Sequence, residues 1–162
     1  ERNPRARWTA PLGREVRLQG QSLAVRVLAD TSAWSMLLRR DPSGPGPAPV
    51  AAVLREFLEA GVPVFLTGVI YQELLTGFRS EPRRAELIRK LEPFDLLQPR
   101  RDTHEQAARL ADRCLRKGVT ASAVDLLIAQ LAIERDCTLL TADSDFHSIA
   151  RCVRLRIAPA LS

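Results

Sequence analysis

The stretch ASAVDLLIAQLAIERDCTLLTADSDF, residues 121–146, decides the fold of this chain. Up to residue 133 it is apolar at all but three positions, which predicts a helix that is buried nearly all round. The run CTLLTA that follows predicts a short buried strand, which ends at Asp143 and Asp145. Asp125 lies in the first turn of the helix, so a helix that carries an acid at its start is followed by a strand that delivers two more at its end. This arrangement suggests a metal site at the carboxyl edge of a parallel sheet.

Apolar runs and helical patterns alternate along the rest of the chain, which predicts a parallel sheet between helix layers and hence the α/β class. Thr31 and Ser32 can cap the first helix. Gly118 is predicted to end the helix that begins near residue 102. The run DPSGPGPAP, residues 41–49, is predicted to be a loop. The predicted strands cover residues 24–29, 62–67, 94–97, 137–142 and 153–157, the last as an edge strand, and the predicted helices begin near residues 31, 50, 68, 81, 102, 121 and 146.

Composition restricts the class of protein and its compartment. At 162 residues and 18.0 kDa, one domain with a real core is expected. A net charge of +5, carried mostly by arginine, favours a polyanionic partner. The three cysteines form no C-x-x-C pair and the chain has two histidines, which argues against a disulfide framework, a zinc site or a histidine-rich metal centre. Without an apolar run of membrane-spanning length or a signal-peptide pattern, the predicted location is the cytoplasm.

The domain is predicted to cover residues 23–162, because periodic apolar character begins only near Leu23. Residues 1–22 hold five arginines and little periodicity, and we interpret them as an N-terminal arm that is non-native or disordered. If the arm is native, its arginines could bind RNA or lie across an acidic pocket.

Four acids occupy positions that need an explanation. Asp30 follows the first predicted strand and could simply cap the next helix, and Asp143 could cap the turn after its strand. Asp125 stands three residues after a serine, the spacing of a capping box. Glu73 lies on the apolar stripe of its helix, is predicted to be buried there, and has no basic residue nearby in sequence.

Taken together, these acids indicate a cation site. The carboxyl ends of parallel strands gather at one edge of a sheet, so four carboxylates would converge there. Two like charges about 4 Å apart repel by roughly 4 kcal/mol at an effective dielectric of about 20, so the group would take up protons or a cation. Oxygen ligands without His or Cys suit Mg²⁺ or Mn²⁺. Such an ion can activate water for attack on a phosphate, which suggests phosphodiester hydrolysis.

Four motifs support a more specific interpretation. DTSAW at 30–34, ELLTG at 73–77, AVDLLIAQLA at 123–132 and LLTADSDF at 139–146 resemble, in order and spacing, the PIN-domain ribonucleases, and most closely the VapC toxins of bacterial type II toxin–antitoxin pairs. The likeness runs from about Val25 to Ile157. The loop at 41–49 and the arm depart from the family pattern, and the loop falls where family members often clip over the substrate or antitoxin groove.

The resemblance implies a three-layer α/β/α sandwich with a mostly parallel central sheet and a Mg²⁺-dependent endoribonuclease that cleaves structured RNA, tRNA or rRNA, and inhibits translation. It also implies a homodimer that a cognate antitoxin silences, and no membrane association. Carried over by motif, the catalytic and metal-binding acids are Asp30, Glu73, Asp125 and Asp143. The residues that match a further acid and supporting hydroxyls are Asp145, Thr31, Ser32 and Thr141.

Two alternatives stay open at this stage: a PIN ribonuclease of RNA processing without a toxin role, and an inactive PIN-like scaffold that binds RNA or protein. Metal-dependent phosphatase chemistry is disfavoured, because no D-x-D-x-T follows the first strand. The arginines that could hold the RNA backbone are Arg39, Arg40, Arg79, Arg100, Arg101 and Arg116.

Overall fold

The computed structural model describes residues 25–38 and 49–158 of the chain. The predicted N-terminal arm, residues 41–48 of the predicted loop, Arg39 and Arg40 lie outside the described residues. The last residue of that predicted loop, Pro49, begins a helix instead, a position where proline is well tolerated because the first turn needs no backbone donor.

The sheet contains four strands, and every pairing in it is parallel. The order across the sheet is β3-β2-β1-β4, so the first strand of the chain lies in the middle. Its three residues are all buried, as expected for an apolar run that is covered on both faces. The strands are β1 Val27–Ala29, β2 Val64–Thr67, β3 Leu96–Leu97 and β4 Thr138–Leu140.

The helices pack in two groups around this sheet. α5 packs against α6 and α6 against α7, while α1 packs against α2 and α3. The predicted buried helix is α6, whose core residues include Leu126, Ile128 and Leu131. The helices are α1 Thr31–Leu38, α2 Pro49–Glu59, α3 Gly68–Thr76, α4 Glu81–Leu91, α5 Arg101–Arg116, α6 Ala123–Glu134 and α7 Ser144–Ala150. The predicted α/β class with a parallel central sheet is confirmed.

The predicted edge strand at 153–157 is wrong. Ile157 forms one isolated parallel bridge with Leu139 of β4, and the neighbouring residues form no ladder. The alternation of burial is nevertheless present, because Leu155 is buried while Arg154 and Arg156 are exposed. A pattern of period two reports which side chains face the core, but it does not require a partner strand along its whole length.

The three cysteines of the chain all lie in the described part of the structure. Cys114, Cys137 and Cys152 are free and buried, so none of them forms a disulfide. Burial raises the pKa of the Cys114 thiol to about 11, with a further contribution from the neighbouring Cys152. Within residues 25–38 and 49–158, no helix combines the length and the apolar character needed to cross a membrane.

Candidate functional site

One cavity, of about 410 Å³, is lined by all four of the acids that the sequence singled out. Asp30 directly follows β1, Asp143 follows β4, Glu73 lies on α3 and Asp125 lies in the first turn of α6. β2 and β4 flank β1 on opposite sides. The order in which successive strands are added to the sheet therefore changes direction at β1. Open parallel sheets bind ligands in the crevice at such a point, beyond the carboxyl ends of the strands.

Asp30 is held by a network that joins the ends of β1 and β4. Its Oδ2 atom accepts hydrogen bonds from Ser32 Oγ at 2.9 Å and from Thr141 Oγ1 at 3.0 Å. The two hydroxyls accept in turn, Ser32 Oγ from the Ala142 amide and Thr141 Oγ1 from the Asp143 amide, both at 2.9 Å. Asp30 is 7% exposed, so its position is fixed by neutral donors rather than by solvent.

Of the two capping alternatives raised from the sequence for the first helix, the structure has Asp30 and not Thr31 or Ser32. α1 begins at Thr31, and the Asp30 carbonyl accepts the first helical hydrogen bond, from the Trp34 amide. Asp30 therefore occupies the N-cap position, while Thr31 and Ser32 lie in the first turn. Their hydroxyls do not cap α1 and instead donate to the carboxylates of Glu73 and Asp30.

Glu73 is exposed, contrary to the prediction that it is buried on the apolar stripe of its helix. Ile70 and Leu74, its neighbours on that stripe, are buried as expected. The Glu73 side chain instead accepts a hydrogen bond at Oε2 from Thr31 Oγ1, which brings it to the mouth of the cavity. This contact joins residues 42 positions apart, so local periodicity could not reveal it.

Asp125 and Asp143 each combine a role at a helix start with a place in the cavity. Ser122 caps α6: its Oγ accepts from the Asp125 amide at 3.0 Å and donates to Asp125 Oδ2 at 2.6 Å. Asp143 caps α7 by accepting from the Asp145 amide at 2.9 Å. The capping alternatives raised from the sequence are therefore present in the structure, and they do not remove either carboxylate from the cavity.

All four carboxylates share one pattern of hydrogen bonding. Each accepts protein hydrogen bonds through a single oxygen, and no described residue donates to the other oxygen. Among the described residues, no Lys or Arg forms an ion pair with any of the four, although six ion pairs occur elsewhere. The cavity therefore holds concentrated negative charge with unused acceptor atoms.

Hard oxygen donors of this kind suit a divalent ion such as Mg²⁺ or Mn²⁺. Within the part of the chain that the structure describes, however, no three His, Cys, Asp or Glu side chains come close enough together to hold one ion jointly. Mg²⁺ usually keeps several of its waters and takes only one or two carboxylates directly. The donor set fits a hydrated ion held partly through water.

The remaining selected residues that the structure describes lie outside the cavity lining, apart from Thr31 and Ser32. Asp145 is exposed in the first turn of α7 and offers only its backbone amide to Asp143. Among the selected arginines, Arg100 pairs with Asp102 and Glu134, so its charge is used within the fold. The other described arginines of that group, Arg79, Arg101 and Arg116, are exposed.

Three apolar residues complete the cavity and were not selected from the sequence: Met36 on α1, and Val124 and Ile128 on α6. At helical spacing such residues normally indicate core packing, and Ile128 is indeed buried. The signal that was available is that Ile128 lies three positions after Asp125 and four after Val124, which places it beside both on the helix surface.

These observations define an α/β sandwich whose central parallel strands end in an acidic cavity. The family model of the PIN domain matches residues 27–151, and the chain therefore belongs to the PIN-domain family. The predicted PIN-like α/β/α sandwich is confirmed. No curated protein matches the chain.

Solved structures with the same fold are similar to this chain at low sequence identity. FitAcB from Neisseria gonorrhoeae is 21% identical, with 82% of this chain and 96% of that chain covered and a TM-score of 0.60. FitAB bound to an IR36 DNA fragment is 21% identical, with coverages of 82% and 93% and a TM-score of 0.63. VapBC-1 from nontypeable Haemophilus influenzae is 18% identical, with coverages of 83% and 97% and a TM-score of 0.62. The resemblance of the motifs to VapC proteins thus agrees with a shared fold.

Proposed function

We propose that this protein is a metal-dependent endoribonuclease that acts as the toxin of a toxin–antitoxin pair. One observation carries the proposal: four carboxylates from separate elements line one cavity, each with an oxygen that no described residue engages, and without a cationic side chain beside them. Such charge has no structural use within the described fold, whereas it suits a divalent ion. Nuclease activity is general among PIN domains, the family to which the chain belongs.

The four acids would hold the ion in this site, directly or through water, and the bound ion would supply an activated water and stabilise charge on the phosphate. Asp30 is the most rigid of them, because Ser32 and Thr141 fix one oxygen and leave the other toward the cavity. Glu73 and Asp125 are each held by a single hydroxyl, from Thr31 and Ser122. These two can turn toward an ion by exchanging one hydrogen bond.

We further propose structured RNA, tRNA or rRNA, as the substrate, with inhibition of translation as the result. The net charge of +5 and the exposed arginines, among them Arg79, Arg101 and Arg116, support a polyanionic substrate. A homodimer and a cognate antitoxin are the expected partners, supported by the fold shared with the VapBC-1 and FitAB complexes. The three free, buried cysteines are compatible with the reducing cytoplasm.

The test is cleavage of total RNA by the purified chain with and without Mg²⁺, comparing wild type with Asp30→Asn. We expect the variant to fold normally and to lose cleavage by at least about a hundredfold, because the amide keeps an acceptor for Ser32 and Thr141 but loses the charge. Glu105→Gln, an exposed acid on α5 outside the cavity, is the matched control and should cleave normally.

Two outcomes would contradict the proposal. Full Mg²⁺-stimulated cleavage by Asp30→Asn would show that the catalytic metal site does not depend on Asp30. Calorimetry that finds no binding of Mg²⁺ or Mn²⁺ at millimolar concentration would favour a scaffold that binds without catalysis. RNA-end sequencing after brief induction, with Asp125→Ala as the inactive comparison, would identify the RNA that is cut.

A further inference from the structure

The cavity has an apolar side that the acids do not explain. Met36 of α1 and Val124 and Ile128 of α6 line it, and these three residues form what we call the apolar wall. Ser35 lines the same cavity beside it, and its hydroxyl forms no hydrogen bond with any described residue. A site that only held an ion would need neither feature, since hydrated ions bind oxygen ligands.

Met36 is exposed to an extent that core packing does not require. Its side chain is 39% exposed, and the other large apolar residues exposed in the described part of the chain are Ile88, at 40%, and Leu115, at 69%. Single exposed apolar residues are ordinary on protein surfaces. Met36 differs from these two because it lines a cavity together with other apolar side chains.

The size of the cavity leaves room for more than an ion. Six waters around a divalent ion occupy roughly 200 Å³, at about 30 Å³ per water. The cavity measures about 410 Å³. The lining includes both the acids and the apolar wall, so an occupant that contacts both is charged at one end and apolar at the other.

We propose that the apolar wall receives a nucleobase next to the phosphodiester bond that is cut, with the Ser35 hydroxyl facing the edge of that base. This inference rests on the proposed nuclease function and names a specificity-determining part of its site. A nucleotide has a neutral, flat, apolar base attached to a phosphate that needs a cation beside these acids. Methionine suits such a face, because its thioether is polarizable, adapts in shape and contacts aromatic rings favourably.

A nucleobase fits the charges of the cavity better than an apolar protein side chain does. Base edges carry N–H groups, which match the free Ser35 hydroxyl, whereas the unused carboxylate oxygens are left for the ion. An aliphatic side chain would leave that hydroxyl without a donor. Contact with the face of a base tolerates any base, whereas a hydrogen bond to its edge distinguishes one base from another. Met36 would therefore set the affinity for RNA, and Ser35 the preference among bases.

The test measures cleavage of short oligoribonucleotides by the full chain, each tested intact and with an abasic site on either side of the cut. We expect Met36→Ala to raise KM about tenfold on the intact oligonucleotide and to leave kcat within about twofold. On the substrate that is abasic at the recognised position, wild type and Met36→Ala should be equal. Met36→Leu should recover most of the loss, which a general defect in folding would not allow.

Ile88→Ala is the matched control, because Ile88 has the same exposure as Met36 and does not line the cavity. It should behave as wild type on every substrate. If Met36→Ala behaves like Ile88→Ala, the inference is overturned while the nuclease function stands. If Met36→Ala instead weakens binding of a co-encoded partner protein and leaves KM for RNA unchanged, the wall holds a protein segment and the inference is likewise overturned. Absence of cleavage by wild type would contradict the nuclease function itself.

Discussion

Two partly buried carboxylates in this molecule have opposite surroundings. Glu134, at the end of α6, accepts a hydrogen bond from Thr103 Oγ1 at 2.7 Å and pairs with Arg100 at 3.3 Å and Arg135 at 3.6 Å. Asp30, at the end of β1, is met only by the neutral donors of Ser32 and Thr141. Glu134, which stabilises the fold, is therefore paired with two cationic side chains. In the cavity this chain supplies none from its described residues, which leaves the charge for a ligand.

The largest effect on stability should come from the compensated acid. Glu134→Ala removes the acceptor of Thr103, whose side chain is fully buried, and leaves Arg100 and Arg135 without their shared partner. We expect a loss of about 2 kcal/mol from the unsatisfied hydroxyl. For a chain of this length that lowers Tm by roughly 4–8 °C. Thermal unfolding followed by circular dichroism measures it, and Glu105→Ala, an exposed acid on α5, should leave Tm unchanged. Equal Tm values for Glu134→Ala and wild type would end the contrast between the two acids.

Divalent metal should stabilise the protein through the cavity alone. At ten times its dissociation constant, Mg²⁺ or Mn²⁺ adds about 1.4 kcal/mol to wild type by mass action, which raises Tm by roughly 3–6 °C. Asp30→Asn should lose this shift, whereas Glu134→Ala should keep it relative to its own lower Tm. Scans in EDTA and in a metal series measure both. A shift of equal size in Asp30→Asn would place the ion elsewhere.

Removal of one uncompensated charge should stabilise the protein when no divalent ion is added. Glu73→Gln keeps an acceptor for the Thr31 hydroxyl and removes repulsion from the other acids of the cavity. We expect an increase of about 0.5–1 kcal/mol in EDTA at low ionic strength, because Glu73 is exposed and the repulsion is screened. At about 1 M salt, where the Debye length is about 3 Å, the increase should vanish. A decrease in Tm at low salt would show that the charge is compensated.

The buried Cys114 thiol is a third kind of environment, in which an acidic group stays protonated, and its effect on stability is confined to alkaline pH. Since burial raises the pKa of Cys114 from 9.0 to about 11, the folded state keeps a proton that the unfolded state releases in this range. The contribution is therefore complete below pH 9 and is lost as pH rises toward 11. Urea unfolding at pH 8, 9 and 10 measures it, with Cys114→Ala as the comparison. Parallel pH profiles of the two proteins between pH 8 and 10 would contradict it.

The parallel sheet and the strand ends at which Asp30 and Asp143 lie were predictable from the sequence. A buried apolar run that stops at an aspartate indicates where a parallel strand delivers a side chain, and this reasoning located Asp30 and Asp143 beside one cavity. The serine before α6 was likewise recognisable as a cap from its spacing to Asp125. These features depend on short segments, so a single sequence contains them.

Features that depend on distant contacts were not predictable. Glu73 was expected to be buried because its helix stripe is apolar, but its position depends on a threonine from another helix. The segment ending at Ile157 alternates like a strand, yet only one bridge forms with β4. Met36 was not selected from the sequence, because nothing local shows that its side chain lines a cavity.

The hydroxyl of Thr141 that holds Asp30 comes from a residue 111 positions later in the chain. During synthesis, Asp30 leaves the ribosome long before β4 exists, so the central strand has one open edge and the carboxylate lacks this donor. Under the proposed function, cleavage of RNA would therefore begin only after β4 has docked and Thr141 has reached Asp30. A chain that stops before Thr138 should show neither metal binding nor cleavage, and activity in such a fragment would show that no such delay is built in.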